Sequence, residues 1–253
     1  MNPPSPLNIF FNPKGVAIIG VSQDPTKLGY GLANNLRTSG YRGEIHFVNH
    51  KGGTLLGETL YRGILDVPDP VDTAVVLIPA PYVPDLMDEI GQRGIRSVVI
   101  GSGGFREIGE AGEVLEKQTL EAAEKWGIRI IGPNCVGIID THIPINATFL
   151  PPPGPDAGDV AFLSQSGAIC AAAIDWSRGH GYGISRLVSL GNQVDISETD
   201  LLVPTASDEH TRVIALYLEG IKAGRTFISE ARKVIEETPL IALKVGKFES
   251  GQK

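Results

Sequence analysis

The sequence predicts an α/β protein with two open, parallel β-sheets. Short apolar segments alternate with longer amphipathic segments along the whole chain, which is typical of βαβ units. Several of the short segments are continuous runs of Val, Ile and Ala, as expected for strands that helices cover on both faces. A proline-rich segment near residue 150 interrupts the alternation, which then starts again. The chain is therefore expected to fold as two α/β domains.

Five strands with helices between them are predicted in the first half of the chain. The predicted strands cover residues 16–19, 44–48, 73–78, 97–100 and 128–131, and the predicted helices lie near 31–39, 82–93 and 109–126. In the last of these helices, the helical spacing places Glu116 on the solvent side and Val114 toward the core.

Residues 149–155, Phe-Leu-Pro-Pro-Pro-Gly-Pro, can continue neither a helix nor a central strand. We therefore place the domain boundary there and expect domains at residues 1–150 and 151–253. In the second domain, strands are predicted at 160–163, 185–189, 213–217 and 240–245, with helices at 168–178, near 198–206 and at 226–237. Ligands of such sheets bind beyond the carboxyl ends of the strands, so the turns that follow strands are the expected binding sites.

Composition and charge exclude several classes of protein. The 253 residues carry a formal net charge of −7, so the chain lacks the basic surface of a general nucleic-acid-binding protein. Its two cysteines cannot form a disulfide framework, and no Cys-x-x-Cys pair is present for zinc or redox chemistry. His46 and His50 share a strand face without a third ligand, so no metal site is predicted. No apolar run approaches the roughly 18–20 residues that cross a bilayer, and we expect a soluble, cytoplasmic protein.

The first turn, residues 20–31, follows a strand and opens a helix, where backbone N–H groups can bind a phosphate. It differs from the dinucleotide-binding fingerprint G-x-G-x-x-G because Ser22 stands at the second glycine. That fingerprint also has an acidic residue at the end of the second strand, which binds the ribose hydroxyls. Here Lys51 and two glycines follow that strand, and they offer a cation and free backbone amides. A phosphorylated ribose is predicted, and both NADP and coenzyme A meet this description.

A second polar turn follows the first strand of the second domain. It is not a nucleophile elbow, because the positions two residues either side of Ser166 are Ser164 and Ala168 and not glycines. The Ser164 and Ser166 hydroxyls, with the amides of Gly167 and Ala168, are predicted to bind an anion at the positive end of a helix. Capping of that helix by either serine uses the same geometry and is the alternative.

Motifs in both halves of the chain, taken together, resemble one family. In the first half they are Phe-x-Pro-x-Gly-Val-Ala-Ile-Ile-Gly-Val-Ser at 11–22, Pro-x-Lys at 25–27, Lys-Gly-Gly at 51–53, Pro-Ala-Pro at 79–81 and Gly-Pro-Asn-Cys-Val-Gly at 132–137. In the second half they are Ser-Gln-Ser-Gly-Ala at 164–168, Leu-Gly-Asn at 190–192 and Tyr-Leu-Glu-Gly at 217–220. In this order they resemble the NDP-forming acyl-CoA synthetases, a superfamily that includes succinyl-CoA synthetase α subunits and ADP-forming acetate–CoA ligases. The resemblance implies an N-terminal Rossmann-like CoA-binding domain and a flavodoxin-like ligase domain.

The resemblance favours coenzyme A over NADP as the ligand of the first domain. It implies that the ADP 3′-phosphate portion is held by Gly20, Ser22, Lys27 and Lys51, and that Pro79 and Pro81 shape the pocket for adenine and pantetheine. The pantetheine arm would be bordered by Ser102 and Gly103, and the thiol would lie near Asn134 and Cys135. A nucleophilic role for Cys135 is the alternative, but no His or Asn is patterned to activate it. A lone cysteine is more often a small buried hydrophobic residue.

The resemblance also implies phosphoryl transfer through a histidine. In the family an acyl phosphate passes its phosphoryl group to this histidine, and the group then goes to ADP or GDP. Glu219 matches the glutamate that orients the histidine by bonding one ring nitrogen. The chain ends at residues 246–253, where the histidine loop would begin, and its five histidines lie elsewhere. We expect either a truncated protein or a subunit that cannot carry the phosphoryl group alone.

The leading hypothesis is therefore the CoA-binding part of an ADP-forming acyl-CoA synthetase, an acid–CoA ligase that is inactive as this chain alone. Because the sequence has no P-loop, ATP or ADP with Mg²⁺ is expected on an ATP-grasp β subunit or fused C-terminal domain, within an oligomer. The alternative is a non-catalytic domain that senses CoA or acyl-CoA, for example in a protein acyltransferase. An NADP-dependent oxidoreductase is a third interpretation. Acetate, propionate, succinate and aryl acids all stay open as the acid.

Overall fold

The computed structural model describes residues 5–246 and confirms an α/β fold with two open sheets. The first sheet has seven strands in the order β3-β4-β2-β1-β5-β6-β7. Its strands are β1 (Gly15–Ile19), β2 (Glu44–Val48), β3 (Gly53–Leu55), β4 (Glu58–Tyr61), β5 (Thr73–Val76), β6 (Ser97–Ile100) and β7 (Arg129–Ile131). Its helices are α1 (Leu28–Thr38), α2 (Val83–Gln92) and α3 (Glu110–Trp126).

The second sheet has six strands in the order β13-β12-β10-β11-β8-β9. These strands are β8 (Gly137–Asp140), β9 (Ile145–Thr148), β10 (Ala157–Ser164), β11 (Ile184–Ser189), β12 (Val213–Leu218) and β13 (Leu240–Lys244). Its helices are α4 (Gly167–His180), α5 (Glu198–Ala206) and α6 (Gly224–Val234). No helix within residues 5–246 is long and apolar enough to cross a membrane.

The central strands of both sheets are parallel, as the continuous apolar runs predict. Every residue of β1, β5, β6 and β11 is buried, because helices or neighbouring segments cover both faces of each sheet. Parallel strands point their carboxyl ends toward the same edge, so the turns after them gather at one end of each sheet.

Two antiparallel hairpins were missing from the sequence-based prediction. One consists of β3 and β4 and forms an edge of the first sheet. The other consists of β8 and β9, and β8 pairs antiparallel with β11 in the second sheet. Their strands are only three or four residues long, which is too short for a clear apolar period.

The β8–β9 hairpin also moves the division between the sheets. The first sheet ends at Ile131 and the second begins at Gly137, ahead of the boundary predicted near residue 150. The proline-rich segment connects the edge strand β9 to the central strand β10 inside the second sheet. Proline disfavours strand pairing wherever it stands, so it marks a connection and not necessarily a domain limit. The domain limits 1–150 and 151–253 stay a prediction.

Helix α3 is oriented differently from its predicted placement. Glu116, expected on the solvent side, is 6% exposed, and Val114, expected in the core, is 56% exposed. The Glu116 carboxylate is buried because Arg106 and Asn192 bind it from two other loops. These partners come from outside the helix, so its own sequence period could not indicate them.

One apolar core joins the two sheets. A single cluster of buried side chains includes Val16 and Val75 of the first sheet and Leu163 and Val188 of the second. Asn35 of α1 adds a polar connection, since its amide donates to the carbonyls of Thr148 (2.8 Å) and Leu150 (2.7 Å). The two sheets are thereby packed together, with loops from both meeting at a shared cavity.

Candidate functional site

A cavity of about 750 Å³ lies between the carboxyl ends of the two sheets. Its walls come from the turns after β6, β7, β10, β11 and β12. The lining side chains and backbone include Arg106, Glu107, Asn134, Val136, Phe149, Gln165, Ser166, Gly167, Ala168, Asn192, Gln193, Glu219 and Lys222. Convergent polar groups in a cavity at strand ends are the expected form of a binding site.

Gln165 holds the turn that presents Glu219 to this cavity. Its Oε1 accepts hydrogen bonds from the backbone amides of Glu219 (2.7 Å) and Gly220 (3.0 Å). Its Nε2 donates to the Gly220 carbonyl at 2.7 Å. One side chain after β10 therefore fixes the backbone after β12, and Glu219 stands on a restrained turn.

A buried carboxylate fixes the orientation of the Gln165 side chain. Glu198, the first residue of α5, is 2% exposed, and its Oε2 accepts from Gln193 Nε2 (2.6 Å) and Gln165 Nε2 (3.1 Å). The positive end of the α5 helix dipole favours a negative charge at this position. Burial of the charge is offset by these bonds and this dipole, and the carboxylate orients both glutamine amides.

The serine turn after β10 forms another wall. The Ser164 hydroxyl is buried, donates to the Ser166 carbonyl (2.9 Å) and accepts from the Ser166 amide (3.1 Å), so it holds the turn and does not line the cavity. Ser166, Gly167 and Ala168 do line it, and Ser166 makes no side-chain cap to α4. The amides at this end of α4 can therefore meet an anion.

The opposite wall is organised by Asn192. Its Nδ2 donates to Glu107 Oε2 (2.7 Å) and Glu116 Oε2 (2.8 Å), and its Oδ1 accepts from Asn134 at 3.4 Å. Burial alone raises the pKa of Glu107. The hydrogen bonds from Asn192 and from backbone amides, including that of Gly104, outweigh this effect and lower the pKa below its ordinary value.

Two cations, Arg106 and Lys222, also line the cavity. Arg106 pairs with Glu116 at 3.1 Å, whereas the Lys222 ammonium donates to the Gln193 carbonyl at 2.7 Å. Desolvation lowers the pKa of Lys222, and the nearby positive charge of Arg106 lowers it further. The cavity thus has both positively charged groups and carboxylates in its walls.

A groove along the first sheet leads to this cavity. Three adjoining hollows of about 630, 240 and 490 Å³ lie over the carboxyl ends of its strands, and Asn49 lines all three. Gly101 lines both the last hollow and the cavity between the sheets. The groove and the cavity therefore adjoin at Gly101.

Comparison with known families identifies this arrangement. A family model for a CoA binding domain matches residues 14–141, and a model for a succinyl-CoA ligase like flavodoxin domain matches residues 157–253. The chain belongs to the NDP-forming acyl-CoA synthetase superfamily. Its first sheet with the groove is accordingly a CoA-binding domain.

Individual members of the superfamily are similar over almost the whole chain. Subunit alpha of acetate–CoA ligase [ADP-forming] I from Pyrococcus furiosus is 44% identical over 254 residues, which cover 98% of this chain and 54% of that protein. The dinucleotide forming acetyl-coenzyme A synthetase 1 of Ca. Korarchaeum cryptofilum, in complex with phosphate and ADP, has a TM-score of 0.93 at 38% identity. It matches 97% of this chain and 53% of its own. The chain spans about half the length of these relatives.

Most of the residues that the resemblance assigned to CoA line the groove. These are Gly20, Ser22, Lys27, Lys51, Pro79, Ser102 and Gly103. The Ser102 hydroxyl is itself used in the fold, where it accepts the Ile78 amide at 3.0 Å. Pro81 lies outside the three hollows, in a short 3₁₀ turn. Asn134 and Cys135 line the cavity between the sheets instead.

One detail of the sequence interpretation was wrong, and one alternative that it left open has no support. The backbone amides of Lys51 and Gly52 are not free. The Lys51 amide donates to Asn49 Oδ1, and the Gly52 amide donates to the Asn49 carbonyl, each at 2.9 Å. The Cys135 thiol is buried, donates to the Ile100 carbonyl (3.4 Å), and has a pKa that desolvation raises to about 12. A buried thiol that stays protonated is a poor nucleophile, so Cys135 fits the small buried residue that the sequence favoured.

The histidines lie away from the cavity between the sheets. His46 bonds the Pro70 carbonyl at 3.1 Å, and His142 stacks on His210 with ring centroids 3.9 Å apart. Within residues 5–246, no group of three or more His, Cys, Asp or Glu side chains could hold a metal ion. The segment expected to lead into the histidine loop, residues 247–253, lies outside the described residues.

Sequence reasoning missed the residues that organise the cavity. They are Arg106, Glu107, Glu116, Gln165, Asn192 as a hydrogen-bond centre, Gln193, Glu198 and Lys222. They come from separate segments of the sequence, and only the packing of the two sheets brings these segments together. The useful signal was position: Gln165 directly follows β10, and Asn192 and Lys222 lie in the connections after β11 and β12.

Proposed function

We propose that this chain is the CoA- and phosphate-binding part of an ADP-forming acyl-CoA synthetase. The overall reaction converts an acid, CoA and a nucleoside triphosphate to acyl-CoA, the nucleoside diphosphate and inorganic phosphate. It proceeds through an acyl phosphate and a phosphohistidine. The observation that carries the proposal is that the groove and the cavity adjoin at Gly101. A ligand as long as CoA can lie along the first sheet and deliver its thiol between the two sheets.

The groove residues suit the parts of CoA in order. The hollow beside Ile64, Leu86 and Tyr82 is largely apolar and suits an adenine ring. The turn after β1 opens α1, so its amides suit the pyrophosphate. The pantetheine arm would pass Ser102 and Gly101 and end near Asn134.

The cavity residues suit the acyl phosphate. Its phosphoryl group would bind the α4 amides at Ser166, Gly167 and Ala168, where the helix dipole favours negative charge. Attack of the CoA thiolate on the acyl carbon forms the thioester bond and releases phosphate, and these amides would stabilise the leaving group. In the synthetic direction the acyl phosphate itself forms by transfer of a phosphoryl group from the phosphohistidine to the carboxylate of the acid.

Glu219 would orient the histidine, which is not part of the described residues. A carboxylate bonded to one ring nitrogen leaves the other nitrogen as the nucleophile. Gln165 restrains the Glu219 turn through two backbone amides, so the carboxylate is held ready for that partner. An ATP-grasp domain on a β subunit or in a C-terminal continuation would bind ATP or ADP with Mg²⁺ and exchange the phosphoryl group, within an oligomer.

The alternative function, a non-catalytic CoA sensor, has no support from the relatives named above, which are a ligase and a synthetase by name. The exposed Glu219 on its restrained turn also favours the enzyme, because a sensor has no use for a histidine partner.

Calorimetric titration of the chain with CoA, dephospho-CoA and NADPH tests the proposal. We expect CoA to bind, dephospho-CoA to bind more weakly because it lacks the 3′-phosphate, and NADPH to produce no heat. The complete synthetase, with the histidine loop and an ATP-grasp domain, should yield acyl-CoA, ADP and phosphate from the acid, CoA and ATP. Binding of NADPH in preference to CoA would contradict the proposal.

A further inference from the structure

The β3–β4 hairpin brings an additional cation to the groove. Strand β4 lies parallel to β2, with Tyr61 in register with Val48, and the Asn49 amide donates to the Tyr61 carbonyl at 2.8 Å. The residue after β4, Arg62, therefore lies beside the residues that follow β2. Arg62 lines the apolar hollow, and Lys51 lines the hollow next to it.

We infer that Arg62 binds the 3′-phosphate of CoA together with Lys51. This inference rests on the proposed function, because it adds a residue to the same CoA site. It assigns to Arg62 the recognition of a phosphate monoester on a ribose. Such a group carries up to two negative charges and suits two cations.

The first argument is the lack of free backbone donors at Lys51. The amides of Lys51 and Gly52 both donate to Asn49, and Asn49 Nδ2 donates to the Val21 carbonyl at 2.7 Å. The turn therefore has no spare N–H at these two residues for an anion. Recognition of a phosphate here depends on side-chain cations.

The second argument is the contact between Arg62 and Gly52. A Cβ atom on Gly52 would lie 3.1 Å from Arg62 Nε and 3.2 Å from its Cγ, so the Arg62 side chain runs directly over this glycine. Gly52 also has φ = +65°, which disfavours a side chain at this position. The guanidinium group is thus held next to the Lys51 turn, on the side of the apolar hollow.

The third argument is that no carboxylate of the described residues forms an ion pair with either cation. Within residues 5–246, neither Lys51 nor Arg62 forms an ion pair within 4.0 Å, and both are exposed. Glu89 lines the hollow of Arg62, and Asp24 lines that of Lys51. Asp24 is occupied by the Thr26 amide (2.9 Å) and hydroxyl (2.7 Å). Two uncompensated cations at the border of two hollows leave positive charge for a phosphate between them.

The test compares CoA with dephospho-CoA, which differ only in the 3′-phosphate. We would titrate the wild-type chain and the variants Arg62→Gln, Arg62→Lys and Lys51→Gln with both ligands. The control is Arg42→Gln, since Arg42 is an exposed arginine at the opposite end of β2. Circular dichroism of each variant checks that it is folded.

We expect Arg62→Gln to weaken CoA binding about tenfold, the effect of one charge-assisted pair of about 1.4 kcal/mol. Its affinity for dephospho-CoA should match that of the wild type within about twofold. Arg62→Lys should give an intermediate CoA affinity, because it keeps the charge and loses the planar fork. The double variant with Lys51→Gln should bind the two ligands equally, and Arg42→Gln should behave as the wild type.

An unchanged CoA affinity in Arg62→Gln would overturn the inference, and so would equal weakening of both ligands. Failure of the wild-type chain to bind CoA at all would instead overturn the proposed function. The two failures are therefore distinguishable in the same set of titrations.

Discussion

The groove over the first sheet and the cavity between the sheets are built in different ways. The groove consists of strand-end turns of one sheet, and its cations Lys51 and Arg62 are exposed and form no ion pair within residues 5–246. The cavity takes residues from both sheets, and carboxylates such as Glu116 and Glu198 are buried and fully hydrogen-bonded. A substitution in the groove should therefore change affinity for one part of a ligand. A substitution in the cavity should disturb several groups at once.

The largest effect is expected at Glu219. In the complete synthetase, Glu219→Gln should lower kcat by roughly a thousandfold, because an amide orients the histidine without stabilising its positive charge. The CoA affinity of the chain should change little, because Glu219 does not line the groove that holds most of the CoA molecule. Steady-state kinetics and calorimetry measure the two quantities. Glu236→Gln, at an exposed position, is the control, and a kcat within a few-fold of the wild type for Glu219→Gln would contradict the assigned role.

Glu198→Ala tests whether the cavity is stabilised as one network. Loss of the carboxylate leaves Gln193 Nε2 without its 2.6 Å acceptor and weakens the positioning of Gln165. We expect the free energy of unfolding to fall by about 3 kcal/mol, measured by urea denaturation. Glu236→Ala, also from an exposed glutamate, should have little effect. If the two variants were equally stable, the network would not carry the stability assigned to it.

Gly167→Ala tests the close packing at the N-terminal end of α4, where we propose that the phosphoryl group binds. A Cβ on Gly167 would lie 2.7 Å from Val136 Cγ1, so we expect a loss of about 1–3 kcal/mol in stability. The second change Val136→Ala should restore most of it by removing the clash. In the same helix, a Cβ on Gly179 would meet no heavy atom within 4 Å, and Gly179→Ala should be neutral or stabilising. Thermal unfolding distinguishes these outcomes.

The smallest expected effect concerns acid stability. The pKa of Glu107 is lowered in the folded chain, so its carboxylate contributes stability above its ordinary pKa of 4.5. That contribution is lost as the pH falls below 4.5 and through the lowered pKa. Glu107→Gln should therefore lower the free energy of unfolding slightly at pH 7 and flatten its fall below about pH 4.5, where the variant and the wild type should converge. If the free energy of unfolding of this variant fell in acid as steeply as that of the wild type, the role of the Asn192 hydrogen bonds would be contradicted.

The same contrast explains what the sequence could indicate. The groove residues Gly20, Ser22 and Lys51 belong to short motifs that follow apolar strands, so both the strands and the ligand class were predictable. Glu116 and Asn192 lie 76 positions apart and meet only when α3 packs against the loop after β11. A helical period indicates which face is apolar on average, but it cannot identify a distant partner that makes a buried charge acceptable.

The missed hairpins have a related cause. Strands β3, β4, β8 and β9 are short and pair with strands whose positions depend on the whole sheet. Whether these segments form strands depends on these neighbours more than on the local β-propensity of the sequence. Because β3 and β4 were not predicted, the position of Arg62 could not be predicted either. Its proximity to Lys51 follows only from the pairing of β4 with β2.

A crystal structure of the chain soaked with CoA tests the central claim most directly. We predict density along the whole groove, with the 3′-phosphate between Lys51 and Arg62 and the thiol beside Asn134 in the cavity. An empty groove at saturating CoA, or a ligand whose thiol points away from the second sheet, would contradict this account.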